Sequence, residues 1–326
     1  MKFFRYISLF AVLFLAFFSC SDKEKNIWDI SVKDADKPAA VTDISKEYYD
    51  TSVNLAEFKQ KYPWFQGTVD DEEFELRRMD STEVSIYKEA ISKIDVNKLS
   101  KDLGALFAHI KHYYPDFPEP KTYLYSSTLQ GALDPVFLSP ERDFLFIDIT
   151  GFMGENNAHY KGLDQYIQRT MNPVNIVPKV SELYAAQLVP FNGLNNKFLD
   201  HMIYNGKIMT LQDAFLPNYP DYLKMQYTDK QQEWAVANEA NIWNYFVEND
   251  LIFSDDAQLV ERFIKPGPFS KFYTEIDNQS SPKAGVFSGW QISRKFFHEK
   301  PNTELQKFLQ MSAQDIFNQS NYKPKD

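Results

Sequence analysis

The chain has 326 residues and a formal net charge of −10, which becomes −12 once Lys2 and Arg5 are set aside with the first nineteen residues. An acidic surface argues against nucleic acid as a ligand and against electrostatic docking on anionic lipid. The single cysteine, Cys20, removes disulfides and cysteine-ligated metal from consideration. Aromatic residues make up 16% of the chain and supply a large core, whereas 11 glycines are too few for a glycine-rich sandwich or propeller.

Lys2 and Arg5 precede an uncharged apolar run of 13 residues, 6–18. Crossing a hydrocarbon core of about 30 Å takes roughly 20 residues, so the run is too short for a spanning helix. A basic start and a short apolar stretch are the marks of a secretory signal. Ser19-Cys20 closes the run, and Ser21-Asp22-Lys23-Glu24-Lys25 is abruptly charged. That junction resembles a bacterial lipobox, with Phe17 where leucine is commonest. Residues 1–19 are therefore expected to be a signal peptide and Cys20 a lipidated N-terminus. Two acyl chains suffice for stable anchoring, since each buried methylene contributes about 0.8 kcal/mol. Residues 20–50 read as a tether, with Ile27, Trp28, Ile30, Val41 and Ile44 scattered through it and able to pair locally as a strand. One domain is expected over 51–326.

Along that domain, residues 54–62 predict a short helix closed by Pro63. Apolar positions at Ile86, Ala90, Ile91, Ile94, Leu99, Leu103, Leu106, Phe107 and Ile110 recur at three and four, predicting a long helix over 85–114 with a break at Asn97 or Ser100, ended by Pro115. Residues 121–126 and 143–150 read as strands, separated by a loop with Pro135 and Pro140. Helices are predicted over 163–171, 177–189 and 196–211. Thr228 and Gln231 form a capping box that opens an aromatic helix carrying Trp234, Ile242, Trp243, Tyr245, Phe246 and Val247. Residues 257–264 and 284–299 are helical, and 302–317 adds a turn or two. The sum is an α+β domain, predominantly helical with one small sheet.

Complete catalytic motifs are not encoded. Gly285-Val286-Phe287-Ser288-Gly289 carries its serine one place late for a nucleophile elbow. There is no P-loop, dinucleotide fingerprint or calcium loop. His109 and His112 are three apart on a helix and are expected at a surface edge. Glu72-Glu73 reads as a loop charge run and Asp255-Asp256 as a solvated face. The stretch from Phe198 to Asn205 is a helix downstream of a strand. A zinc-peptidase helix places His-Glu-x-x-His on one face with a base between its ligands. Here His201 keeps the first position, while Met202 and Asn205 occupy the base and second-ligand positions. Methionine cannot deprotonate water, and one imidazole cannot hold catalytic zinc. No metal or other cofactor is expected.

From His201 onward a family resemblance enters. Met202-Ile203-Tyr204-Asn205-Gly206-Lys207-Ile208, Phe215-Leu216-Pro217, Tyr227-Thr228, Gln232-Glu233-Trp234 and Ile242-Trp243-Asn244-Tyr245-Phe246 closely resemble the GldB family of gliding-motility lipoproteins. So do Pro268-Phe269, Gly289-Trp290-Gln291-Ile292-Ser293-Arg294-Lys295 and the closing stretch from Ala313 to Lys325. The likeness is close over about 140–325 and loose before it; Phe152-Met153-Gly154 stands where relatives commonly have Tyr-Leu-Gly. The resemblance implies a membrane-anchored lipoprotein of the cell envelope, in the outer rather than the inner membrane, that serves gliding and the associated protein secretion by contacting other proteins of that apparatus. It also implies a distant kinship with predicted zinc proteases, hence a degenerate, gluzincin-like domain and no enzymatic activity. Two other readings compete: a metallohydrolase with an unrecognised ligand set, such as His201 with His109 or His112, and a glycan-binding surface lipoprotein using its Tyr and Trp residues.

Overall fold

The computed structural model describes residues 26–65, 69–139, 143–190 and 196–324, so the signal segment, Cys20 and the charge run after it lie outside the described residues. Strands β1 (Val41–Asp43), β2 (Lys121–Tyr125), β3 (Val136–Ser139) and β4 (Phe144–Asp148) form a four-stranded sheet in the order β1-β2-β4-β3. β1, β2 and β4 run parallel, and β3 is an antiparallel edge strand, with Phe137 opposite Phe146. Side chains alternate faces along a strand. Leu124, Leu145 and Ile147 therefore enter the main core, while Tyr123, Phe144 and Phe146 turn to the other side. There they meet the Trp64 ring at centroid distances of 4.8, 5.2 and 5.0 Å.

An outer helical layer covers that aromatic face: α1 (Ile44–Tyr48), α2 (Leu55–Lys61) and α3 (Asp71–Met79), closed around Tyr48, Phe58, Tyr62 and Phe74. The Glu72-Glu73 pair is not in a loop, as the sequence suggested, but in the first turn of α3. Asp70 caps that helix by accepting from the Glu73 N–H at 2.9 Å, and acidic side chains suit the positive end of a helix dipole. Buried Arg78 ties the layer together, donating to the Tyr48, Asp50 and Val53 carbonyls at 2.6–2.7 Å.

The long helix expected over 85–114 is two: α4 (Ser81–Ser92) and α5 (Val96–Tyr113). They part at Asp95, whose carboxylate caps α5 through the Lys98 N–H, rather than at Asn97 or Ser100. After the sheet come α6 (Gln165–Gln168), α7 (Ile176–Leu188), α8 (Phe198–Phe215) and α9 (Asp221–Met225). The predicted aromatic helix is also divided, into α10 (Asp229–Ala237) and α11 (Glu239–Glu248), at Asn238, whose backbone leaves the helical region at φ −111° and ψ 15°. Its capping box forms, with Thr228 and Gln231 bonded reciprocally. Then follow α12 (Gln258–Phe263), α13 (Ala284–Glu299), α14 (Leu305–Gln310) and α15 (Ala313–Ser320).

The core centres on α8 crossing α13. Gly206 and Gly289 let the two backbones touch: a Cβ on Gly289 would stand 1.9 Å from the Met202 carbonyl oxygen, and one on Gly206 2.3 Å from the Gly289 oxygen. Glycine is used here for close approach, which also explains why the Gly285 to Gly289 stretch is plain helix. Residues 26–50, read from sequence as a tether, are packed into the fold. Trp28 lies edge-on to Phe297 at 4.9 Å, the Ala39 N–H bonds the Ser100 carbonyl at 2.9 Å, and Val41–Asp43 pairs with β2. Trp28, Val41 and Ile44 of that stretch therefore mark docking points, whereas Ile27 stays exposed.

Candidate functional site

The most elaborate polar arrangement among the described residues joins α8, α9 and α13. Asp213 lies in the last turn of α8, at the negative end of that helix, where a carboxylate is disfavoured unless cations hold it. Two do. Lys224 Nζ is 2.8 Å from Asp213 Oδ1, and both side chains are almost fully enclosed, 2% and 4% exposed. Arg294 grips the same carboxylate through Nε at 2.9 Å and Nη2 at 3.0 Å, and grips Asp221 through Nη1 at 2.7 Å and Nη2 at 2.9 Å. Trp290 donates its indole N–H to Asp213 Oδ2 at 2.7 Å, and its ring lies 3.7 Å beneath the Arg294 guanidinium.

Two carboxylates and two cations make the cluster electrically neutral. Burial pushes the Asp213 carboxyl upward, but Arg294 and Lys224 outweigh it and hold the group below its ordinary value. The carboxylates likewise drive Arg294 upward against its own desolvation. Every charge here is committed to another, and neither Asp213 nor Arg294 changes protonation near neutral pH. Above the cluster opens a cleft of about 520 Å³ whose rim includes Ile27, Trp28, Pro217, Phe297 and Pro301. The N-terminal segment closes one side: the Asn26 amide donates to the Pro217 carbonyl at 2.8 Å. This geometry locks three helices and a docked segment.

The positions singled out on the His201 helix separate. His201 and Asn205 lie on one side of α8, half-buried, and the Asn205 amide donates to the His201 carbonyl at 2.8 Å, a bond internal to the helix. Met202 is fully buried beneath α13. His201 borders a separate cavity of about 240 Å³ with Asp200, Tyr204 and Lys207. Lys207 is buried there, donates to the Leu309 and Met311 carbonyls at 2.8 and 2.7 Å, and is pushed down to about 8 by desolvation.

His109 is buried rather than at a surface edge, whereas His112 is exposed. Burial, then His112, lowers His109, and the Ala214 backbone beside it partly opposes them. Ala214 is thirteen residues beyond His201 on α8, about 20 Å along the axis, so His109 and His201 cannot share a metal. No group of three or more His, Cys, Asp or Glu able to hold a metal ion occurs among the described residues. Asp148, at the C-terminal end of β4, is a further buried acid: burial raises it, and bonds from Ser127 and Thr150 partly offset the rise. Sequence reasoning missed the Asp213 cluster because the predicted helix stopped at Leu211. The signal was there: one acid inside an apolar run, Ile208 to Leu216, and a Trp and Arg four apart on α13.

No helix among the described residues is long and apolar enough to cross a membrane. Neither the curated proteins nor the solved structures contain a match to this chain. The family described as "Gliding motility protein GldB" does match, over residues 22–324, from just after Cys20 to the end of α15 and beyond. The chain belongs to the GldB family of gliding motility proteins.

Proposed function

We propose that this protein is a non-enzymatic lipoprotein of the cell envelope, anchored through acylated Cys20, that supports gliding motility and the associated secretion by binding other proteins of that apparatus. The observation that carries the reading is the family match across 22–324, which begins two residues after the expected lipidation site. Two features support it. The charged cluster is spent on internal ion pairs, and Met202 and Asn205 stand where a zinc-peptidase helix carries its base and second ligand. The outer membrane is the proposed host, and a distant zinc-peptidase kinship, which the family resemblance implies, is part of the same proposal. The glycan alternative draws less support from the fold, because Trp243 and Trp290 are buried and Trp28 and Trp64 pack against other rings.

A deletion strain carrying wild-type protein or Cys20→Ala tests this, scored for spreading on agar and for secreted enzyme in the medium. Wild type should restore both. Cys20→Ala should restore them poorly, because anchoring raises the effective concentration toward membrane-bound partners. A deletion strain that spreads normally would remove the assignment.

A further inference from the structure

The proposed anchor and the docked N-terminal segment together restrict how the domain can face its membrane. Cys20 is six residues before Asn26, and an extended chain spans at most about 3.3–3.6 Å per residue, so the two are no more than roughly 20–22 Å apart. Asn26 is not free to wander. Its amide bonds Pro217, its Oδ1 accepts from the Trp28 N–H at 3.0 Å, and the Trp28 ring is held between Phe297 and Tyr113. The Asn218 amide reaches Asp29 from the same loop. By comparison α5 and α8, of 18 residues each, are about 27 Å long. The link is shorter than the body it holds.

Resting on the anchoring reading, we infer that the rim of the large cleft, built from Ile27, Pro217, the α13–α14 connection and the end of α5, is the face laid against the lipid headgroups of the membrane that carries the Cys20 acyl chains. The composition of this rim suits that neighbour. Ile27 is 46% exposed, an apolar side chain next to the link. Lys300 and Lys307 border the adjoining α13–α14 pocket without ion-pair partners among the described residues, beside Glu304 and Glu299, the latter paired with Lys295, and Asp221 lines the cleft itself within the Arg294 clamp. The outer helical layer, with α3, points away. Trp28 packs into the main core beside Tyr113, whereas α1 to α3 close a separate core on the opposite face of the sheet.

Cys20 is the only cysteine, so once it is acylated any introduced cysteine is the one free thiol for a fluorophore. Lipidated Lys300→Cys and Met79→Cys proteins, labelled and reconstituted into phosphatidylethanolamine–phosphatidylglycerol vesicles doped with a headgroup-nitroxide lipid, provide the test. Both sites are exposed; Asn302→Cys substitutes for Lys300→Cys if that variant fails to fold. The label at position 300 should lose most of its fluorescence and the label at 79 little. Equal losses, or a greater loss at 79, overturn the orientation and leave the rim open to a protein partner. The intact mass of the same samples separates the two readings: acyl mass with no quenching gradient sinks the orientation alone, and no acyl mass sinks the anchor along with it.

Discussion

Replacing Asp213 by Asn removes one charge from the neutral cluster while keeping its shape. Lys224, 2% exposed, then loses its 2.8 Å partner and keeps only the longer 3.8 Å contact with Asp221. Arg294 still has Asp221 and is a third exposed, so water softens its loss and the cost rests on Lys224. Breaking one side of a buried pair costs about 3–5 kcal/mol, a large part of a net stability of roughly 5–15 kcal/mol. With unfolding entropy near 2.1 cal/mol/K per residue, a domain of about 300 residues loses about 5–8 °C in Tm for that cost. Calorimetric melting checks it. Glu261→Gln, in the exposed Lys265–Glu261 pair, serves as control and should shift stability by no more than about 0.5 kcal/mol. Adding Lys224→Met to Asp213→Asn should recover most of the loss, because the stranded cation is gone. The pH dependence has a fixed sign. Asp213 is held below its unfolded value, so its contribution is complete above about pH 4 and is lost as pH falls through the lower native value. Asp213→Asn should flatten that acid drop. A single mutant melting within about 1 °C of wild type, or a double mutant no better than the single, would show that the cluster is not what holds α8, α9 and α13 together.

Gly289→Ala drives a methyl into the Met202 carbonyl, a backbone atom that cannot turn aside, so a loss at the upper end of about 1–3 kcal/mol is expected in denaturant titration. Trp243→Ala and Phe246→Ala should each cost about 3–5 kcal/mol and lower cellular abundance; normal melting of both would mean these rings are not core. His201→Ala should leave spreading intact, and elemental analysis of purified wild type should find well below one equivalent of zinc; stoichiometric zinc would reverse the reading of this helix. Lys207, depressed to about 8, binds its proton less tightly in the native than in the unfolded chain, so stability should rise with pH between about 8 and 10. Lys179 and Lys283 act in the same direction, so the check is whether Lys207→Met has a shallower slope than wild type.

Local signals were legible wherever one residue type decides a conformation. The Thr228–Gln231 box, the helix over 284–299, and the β2 and β4 strands were readable because capping and periodicity act over a few residues. What was missed depends on distant partners. β3 carries only four residues and is defined by its pairing with β4, so it has no pattern of its own, and β1, within a stretch read as able to pair as a strand, finds its partner not locally but in β2. Trp28 in a polar stretch looks like linker until Phe297 and Tyr113 appear beside it. The Asp213 cluster joins residues 81 apart in sequence, at spacings no motif describes. His109 illustrates the reverse error: its polar neighbours in sequence suggested a surface, but the α5 surface it occupies packs beside Ala214 of α8.

These arrangements also determine where a pull on the N-terminus would go. Force entering at Asn26 passes first to Pro217 and, through Trp28, to Phe297 on α13 and Tyr113 on α5. α13 is joined to α8 by the glycine crossing, where backbone meets backbone, and to α8 and α9 by the Arg294 clamp on Asp213 and Asp221. The attachment therefore leads into the most tightly packed pair of helices and bypasses the outer layer of α1 to α3, which belongs to a separate small core. The first described residues are thus fastened to the central helices and not to the small outer core.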